Sequence, residues 1–196
     1  GVQTCALPID ISSSTNISCA NGNNGTATVQ VSSGNGPFTY TWSPSGGNAA
    51  TATGLSAGSY TVTVRDANGC NTPVSVTISQ PSLVTAAISN ITNPLCFGQN
   101  TGSATVIAGG GTPGYSYSWS SSGSNSNTAT NLGSGNYIVT VTDLNGCTAT
   151  STATITAPTQ VTASVSPTQI RCNGANNGSA QAIAGGGNTP YTYTWT

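Results

Sequence analysis

The sequence predicts an all-β chain of tandem β-sandwich repeats of about 77 residues, the third repeat incomplete. Three observations carry that expectation. Apolar and polar residues alternate strictly over short stretches, the pattern of half-buried strands. Gly, Pro and Asn-Gly signals fall between those stretches and mark turns. The chain also repeats itself: Cys19, Trp42, Tyr60 and Cys70 recur 77 residues later as Cys96, Trp119, Tyr137 and Cys147. A third copy begins with Cys172 and Trp195, each 76 residues after its predecessor.

In the first repeat the strands are expected near 8–14, 25–32, 37–43, 50–55, 58–66 and 73–80. A seventh is expected in the Ser/Gly-rich middle, the count of an immunoglobulin-like sandwich. Alternation puts Phe38, Tyr40 and Trp42 on one face and Thr39 and Thr41 on the other. Tyr60, Val62 and Val64 share a face, as do Val74, Val76 and Ile78, and these are taken as core. Asn68-Gly69 and Asn145-Gly146 read as tight hairpin turns with φ > 0 at both central positions. Phe38–Trp42 matches Tyr115–Trp119 and Tyr191–Trp195, and Gly58–Val64 matches Gly135–Val141. Boundaries near Pro81 and Pro158 give repeats 1–80 and 81–157 and a partial repeat 158–196. The third copy loses one residue between Pro158 and Cys172. Almost no linker separates the repeats, so a stiff rod is expected.

Only 3% of residues are charged, and they can be named in full: Arg65, Arg171, Asp10, Asp66 and Asp143. There is no Lys, Glu, His or Met. Proton-transfer catalysis draws on His, Glu, Asp, Lys, Tyr or Cys, and the three Asp lie in three different stretches. The chain is therefore expected to be no enzyme, with no catalytic residues, no cofactor and no metal site of His or clustered carboxylates. Two distant arginines cannot neutralise a phosphate backbone, so no nucleic-acid partner is expected. No apolar run approaches the ~20 residues of a membrane span. The chain opens at Gly1 without a visible signal peptide, which reads as a mature product or a fragment. Its six widely spaced cysteines read as disulfides and imply an oxidising compartment.

Tyr40, Trp42, Tyr60, Tyr117, Trp119, Tyr137, Tyr193 and Trp195 suit either a sugar-stacking platform or buried strands. Identical spacing in every copy favours core aromatics, since that is what a repeated core requires. The Asp-x-Asn-Gly segments suit weak calcium ligation or plain turns. One carboxylate per site is too little charge for good calcium affinity, which favours turns. Sequons at Asn16, Asn24, Asn90 and Asn177 are compatible with glycosylation, but an Asn- and Thr-rich chain contains them by chance.

The run G-x-Y-x-V-x-V-x-D-x-N-G-C spans Gly58–Cys70, and Gly135–Cys147 fits it. Together with the P-Y-x-Y-x-W strand at Pro190–Trp195 and a cysteine early in each unit, it resembles the SprB-type repeats. Those repeats occur in very large cell-surface adhesins of gliding Bacteroidota. The likeness to PKD-like and other immunoglobulin-like modules is more generic. The resemblance implies export, by the type IX route, and a structural or adhesive role in a filament or stalk at the cell surface. The implied partners are further copies or further repeats of the same polypeptide, with surface glycans as a further option. A carbohydrate- or surface-binding module of a secreted multidomain protein is the alternative reading. It would require aromatics outside the core alternation.

Two pairings of the cysteines stand. One closes each unit on itself, Cys19 with Cys70 and Cys96 with Cys147. The other is staggered. In an immunoglobulin-like sandwich the loop after the first strand and the last hairpin lie at opposite poles, ~20 Å or more apart at ~3.3 Å per strand residue. Bridged Cα atoms lie within about 7 Å. Neighbouring units bring opposite poles together, so the staggered scheme pairs Cys5 with Cys70 and Cys19 with Cys147. It leaves Cys96 and Cys172 for partners outside the chain, and it is the preferred reading. Residues 158–196 carry about three expected strands, and Trp195 has no second half to pack against. Either the polypeptide continues or another subunit completes the sandwich by strand addition; continuation is the simpler expectation.

Overall fold

The computed structural model describes residues 6–196. Every regular element among them is a strand. The first repeat holds β1 (Ile9–Thr15), β2 (Gly25–Val31), β3 (Thr39–Ser43), β4 (Thr51–Leu55), β5 (Gly58–Arg65) and β6 (Asn71–Ile78). They form two antiparallel three-stranded sheets, β1-β2-β4 and β3-β5-β6. This is an immunoglobulin-like sandwich, and each strand lies within two residues of its expected place. The second repeat gives the same pair of sheets. β7 (Thr85–Thr92), β8 (Gly102–Gly109) and β10 (Thr128–Leu132) form one. β9 (Ser116–Trp119), β11 (Gly135–Thr142) and β12 (Thr148–Ile155) form the other.

Alternation produces the core. Gly25, Ala27 and Val29 of β2 point inward, as do Ala52 and Leu55 of β4. From the opposing sheet come Trp42, Tyr60, Val62, Val64 and Ile78. Phe38, Tyr40, Val74 and Val76 lie half-buried at its margin. The register pairs Trp42 with Val62 and Val62 with Val74, so one apolar row crosses the whole sheet. Tyr60 Oη donates to Ser56 O (3.0 Å) and Tyr137 Oη to Gly133 O (3.3 Å), the backward bond of a tyrosine corner.

The seventh strand is absent among the described residues. The segment between β3 and β4 serves the tryptophan instead. Trp42 Nε1 donates to Ala49 O (2.9 Å), and Trp119 Nε1 donates to Ser126 O (3.0 Å) seven residues on in the same way. A buried indole N–H needs that acceptor, and a carbonyl turned inward toward it is lost to a ladder.

The third repeat also departs from expectation. Two strands form, β13 (Thr162–Thr168) and β14 (Ser179–Gly185), rather than three. Pro190–Trp195 has no strand structure. In the first repeat that aromatic segment is β3, which takes all its ladder bonds from β5. Among the described residues no strand lies beside Pro190–Trp195 as β5 lies beside β3, so this segment forms no ladder. Tyr193 and Trp195, expected in the core by analogy, are 53% and 59% exposed for the same reason.

The chain falls into two compact units. One comprises Gly1–Thr85, Gly109–Tyr115 and Thr142–Ala149; the other comprises Ala86–Ala108, Ser116–Val141 and Thr150–Thr196. The division differs from the sequence period, because one end of the second repeat compacts with the first.

The strand glycine Gly25 shows how closely the sheets approach. A Cβ there would lie 2.7 Å from Ile78 Cγ2 and 2.8 Å from Leu55 O. Its counterpart Gly102 meets Ile155 Cγ2 and Leu132 O at 2.9 and 2.8 Å. Gly25→Ala is expected to cost about 1–3 kcal/mol by overpacking. Thr53→Ala, on the exposed side of β4, should stay within about 0.5 kcal/mol. Urea unfolding of the two variants measures the contrast.

Candidate functional site: a disulfide-anchored hairpin

The hairpin between β11 and β12 is organised by one carboxylate. Asp143 is 4% exposed. Its Oδ1 accepts the N–H groups of Asn145 (2.9 Å) and Cys147 (2.8 Å), and its Oδ2 accepts that of Thr112 (2.8 Å). Gly146 N donates to Asp143 O (3.1 Å) and Asp143 N to Cys147 O (2.9 Å), which closes the turn. Positive φ is confined to Gly146 (84°), and to Gly69 (86°) in the first repeat. The tight turn with positive φ at both central positions is therefore corrected. Asp143 through Gly146 form an ordinary turn followed by one left-handed glycine at a bulge, and the Asp side chain stabilises it as an Asx turn.

The first repeat has the same construction. Asp66 Oδ1 accepts Asn68 N (3.0 Å) and Cys70 N (2.9 Å). This is Asx-turn chemistry. At Asp143 both oxygens face N–H donors, and among the described residues no three acidic, His or Cys groups cluster as metal ligands. The N–H of Thr112, then those of Cys147, Asn145 and Gly146, hold the Asp143 carboxyl below the ordinary carboxylate value, against the opposing effect of burial.

The hairpin places a cysteine. Cys147 is bonded to Cys19, with Sγ–Sγ 2.03 Å and Cα–Cα 5.6 Å across 128 residues of sequence. Asn145 Nδ2 reinforces the contact by donating to Thr112 Oγ1 (2.9 Å) and to Ser18 O (3.2 Å). Gly111 leaves room for the carboxylate: at φ 60° it carries no Cβ, and one would sit 2.5 Å from Asp143 Oδ2. Gly111 N donates to Ser82 O (2.9 Å), and Tyr115 Oη to Gly110 O (2.6 Å).

Cys70 is also disulfide-bonded; its expected partner, Cys5, lies outside the described residues. Cys96 and Cys172 are free and exposed. Trp42, Tyr60 and Trp119 are buried, Tyr40, Tyr117 and Tyr137 are half-buried, and Tyr193 and Trp195 are exposed. Asn16, Asn24, Asn90 and Asn177 are all exposed. Two of these amides are engaged: Asn16 Oδ1 accepts Ser79 N (2.9 Å) and Asn24 Nδ2 donates to Ser18 Oγ (2.7 Å). Sequence reasoning found the cysteines and the Asp-Asn-Gly turn but missed Thr112, Gly111 and the Ser18 carbonyl. The triple glycines Gly109–Gly111 and Gly185–Gly187, 76 residues apart, are the signal that marks them.

The fold and this site define a class: immunoglobulin-like repeats in which a cysteine from one repeat is bridged to the hairpin of the next. The SprB repeat family matches residues 11–47, 88–124 and 164–196, together more than half of the chain, and the chain belongs to that family. Comparison with curated proteins finds no match. Among solved structures the chain is similar to a C-terminal 282-residue fragment of intimin, crystallised with the intimin-binding domain of translocated intimin receptor. That match has 21% identity and a TM-score of 0.40, and it covers 76% of this chain and 66% of the other, just under two thirds.

Asp143 has a depressed folded-state value, so its contribution to stability is present above the unfolded Asp pKa of about 3.9 and is lost as pH falls through the folded value. Asp143→Asn keeps one oxygen for the turn but aims an NH2 at Thr112 N. The variant should melt below wild type at pH 7, and the gap should close as pH is lowered from about 5 toward 2. Thermal melts across that range check it; a gap independent of pH contradicts the assignment.

Proposed function

We propose that this chain is a structural and adhesive repeat module of a bacterial cell-surface adhesin stalk or extracellular filament, without catalytic activity. Three SprB repeats, 1–80, 81–157 and a partial 158–196, would stack along the polypeptide. The single observation that carries the reading is the Cys19–Cys147 bridge. A disulfide persists in an oxidising compartment. Linking one repeat to the next, it converts independent modules into a covalently continuous series, which suits a fibre under load.

Only 3% of residues are charged, and the aromatic strand residues Trp42, Tyr60 and Trp119 are buried, which supports a structural over a catalytic reading. No helix among the described residues is long and apolar enough to cross a membrane. Family likeness supports Bacteroidota as the source, type IX export and a link to gliding. Pairing of Cys5 with Cys70 belongs to the same proposal, as do partners that are further repeats of the same polypeptide.

Labelling intact cells of the source bacterium with an antibody to this chain tests the reading. The expected result is surface signal removed by external protease, with Cys19 and Cys147 refractory to alkylation until reduced. A chain found only inside the cell, with both cysteines reactive, contradicts it.

A further inference from the structure

The second repeat shows what a filled hairpin seat looks like, and the third repeat carries the same seat empty. In the filled seat Gly110 and Gly111 adopt φ 66° and 60°, and in the empty one Gly186 and Gly187 adopt 69° and 59°. Gly187 N donates to Thr159 O (2.8 Å) as Gly111 N does to Ser82 O (2.9 Å). Tyr191 Oη donates to Gly186 O as Tyr115 Oη does to Gly110 O. Val161 stands where Val84 stands, and each is close to its glycine. A Cβ on Gly187 would collide with Val161 Cγ2, as one on Gly111 would with Val84 Cγ2. Asn188 replaces Thr112 and donates from Nδ2 to Leu95 O (3.2 Å), the counterpart of the Ser18 carbonyl that receives Asn145.

Beside this seat lies a pocket of about 260 Å³ whose lining includes Cys96, Leu95, Phe97, Pro158, Val161 and Gly187. Cys96 is the repeat counterpart of Cys19 and is a free thiol. Leu95 and Phe97 are 78% and 60% exposed, an apolar rim where the first repeat has Ser18 and Ala20.

We propose that the pocket beside Cys96 is the docking seat for an Asp-x-Asn-Gly-Cys hairpin carried by the same polypeptide in the second half of the third repeat. The hairpin's cysteine would bond Cys96. This inference rests on the stalk reading and names its next covalent contact. The hairpin Asp would present its carboxylate to Asn188 N over the side-chain-free face of Gly187. The hairpin Cys would arrive beside Cys96 as Cys147 does beside Cys19. The apolar side chain after the Asp, Leu144 in the second repeat, would have Leu95 and Phe97 as an apolar rim. Bonding proceeds by thiol–disulfide exchange with a small-molecule disulfide as oxidant. Cys96 thiolate attacks it and releases one small thiolate. The hairpin thiolate then attacks the mixed disulfide, forming the protein S–S bond and releasing the second. Two protein thiols lose two electrons and two protons, and one external disulfide becomes two thiols.

The test extends the full chain after Thr196, the counterpart of Ser120, with a copy of its own residues 121–157, which supplies the hairpin. The extended chain is refolded in oxidised and reduced glutathione, alkylated, and cleaved before Asp without reduction. The expected result is the copied cysteine joined to Cys96, with Cys96 alkylation at least ten-fold below that of Cys172 and Trp195 fluorescence shifted to a buried position. Gly187→Val should abolish the Cys96 link and leave Cys19–Cys147 intact. The proposal is overturned if the copied cysteine joins Cys172, if Cys96 joins a second molecule, or if Gly187→Val has no effect. It is equally overturned if Cys96 and Trp195 stay as exposed as in the unextended chain, because the receiving half is already built. A chain located inside the cell would sink the stalk reading and leave this mapping untouched; a failed mapping would leave surface location standing.

Discussion

A buried carboxylate ringed by backbone N–H groups is the interaction on which this molecule turns. Asp143 gathers three N–H donors from the turn and from Thr112. Doing so fixes where Cys147 projects. Once the hairpin is rigid, the disulfide to Cys19 needs no reorganisation and forms at an ordinary Cα separation of 5.6 Å. The same carboxylate requires Gly111 to be bare, and that glycine holds its left-handed shape through Ser82. Aspartate, glycine run and cysteine thus form one device, and each loses its purpose without the others.

The surface obeys a second constraint. With 3% charged residues, ion pairs cannot hold the exposed faces of the sheets. Hydroxyl pairs do so instead. Thr28 and Thr51, Thr61 and Ser75, and Thr15 and Thr26 are cross-strand neighbours, with oxygens 3.0, 2.9 and 2.8 Å apart. Thr105 and Thr128 repeat the first of these at 3.0 Å. Each such pair contributes roughly 0.2–1 kcal/mol, and none is screened by salt. Alternating threonine therefore does double duty, setting the strand period and bonding across it.

Most of the fold was legible because period-two alternation directly encodes which side of a strand is wet. Trp42, Val62, Val64 and Ile78 announce themselves in that way. The seventh strand misled because Ser/Gly-rich sequence is compatible with a strand or a loop, and what decides between them is the buried N–H of Trp42, which takes the Ala49 carbonyl as its acceptor. The aromatic segment ending at Trp195 misled for a different reason. Its strand character comes from a partner, and a partner is a long-range fact. The candidate site was half legible. Cysteines and Asp-Asn-Gly carry side-chain signatures, whereas Thr112 and the Ser18 carbonyl act through backbone groups that any residue possesses.

The central claim is the staggered bridge, and digestion before aspartate without reduction tests it most directly. Cleavage before Asp10, Asp66 and Asp143 separates peptides 1–9, 10–65, 66–142 and 143–196. The account predicts 10–65 joined to 143–196 through Cys19 and Cys147. Recovery of 10–65 joined to 66–142, which carries Cys70 and Cys96, would contradict it.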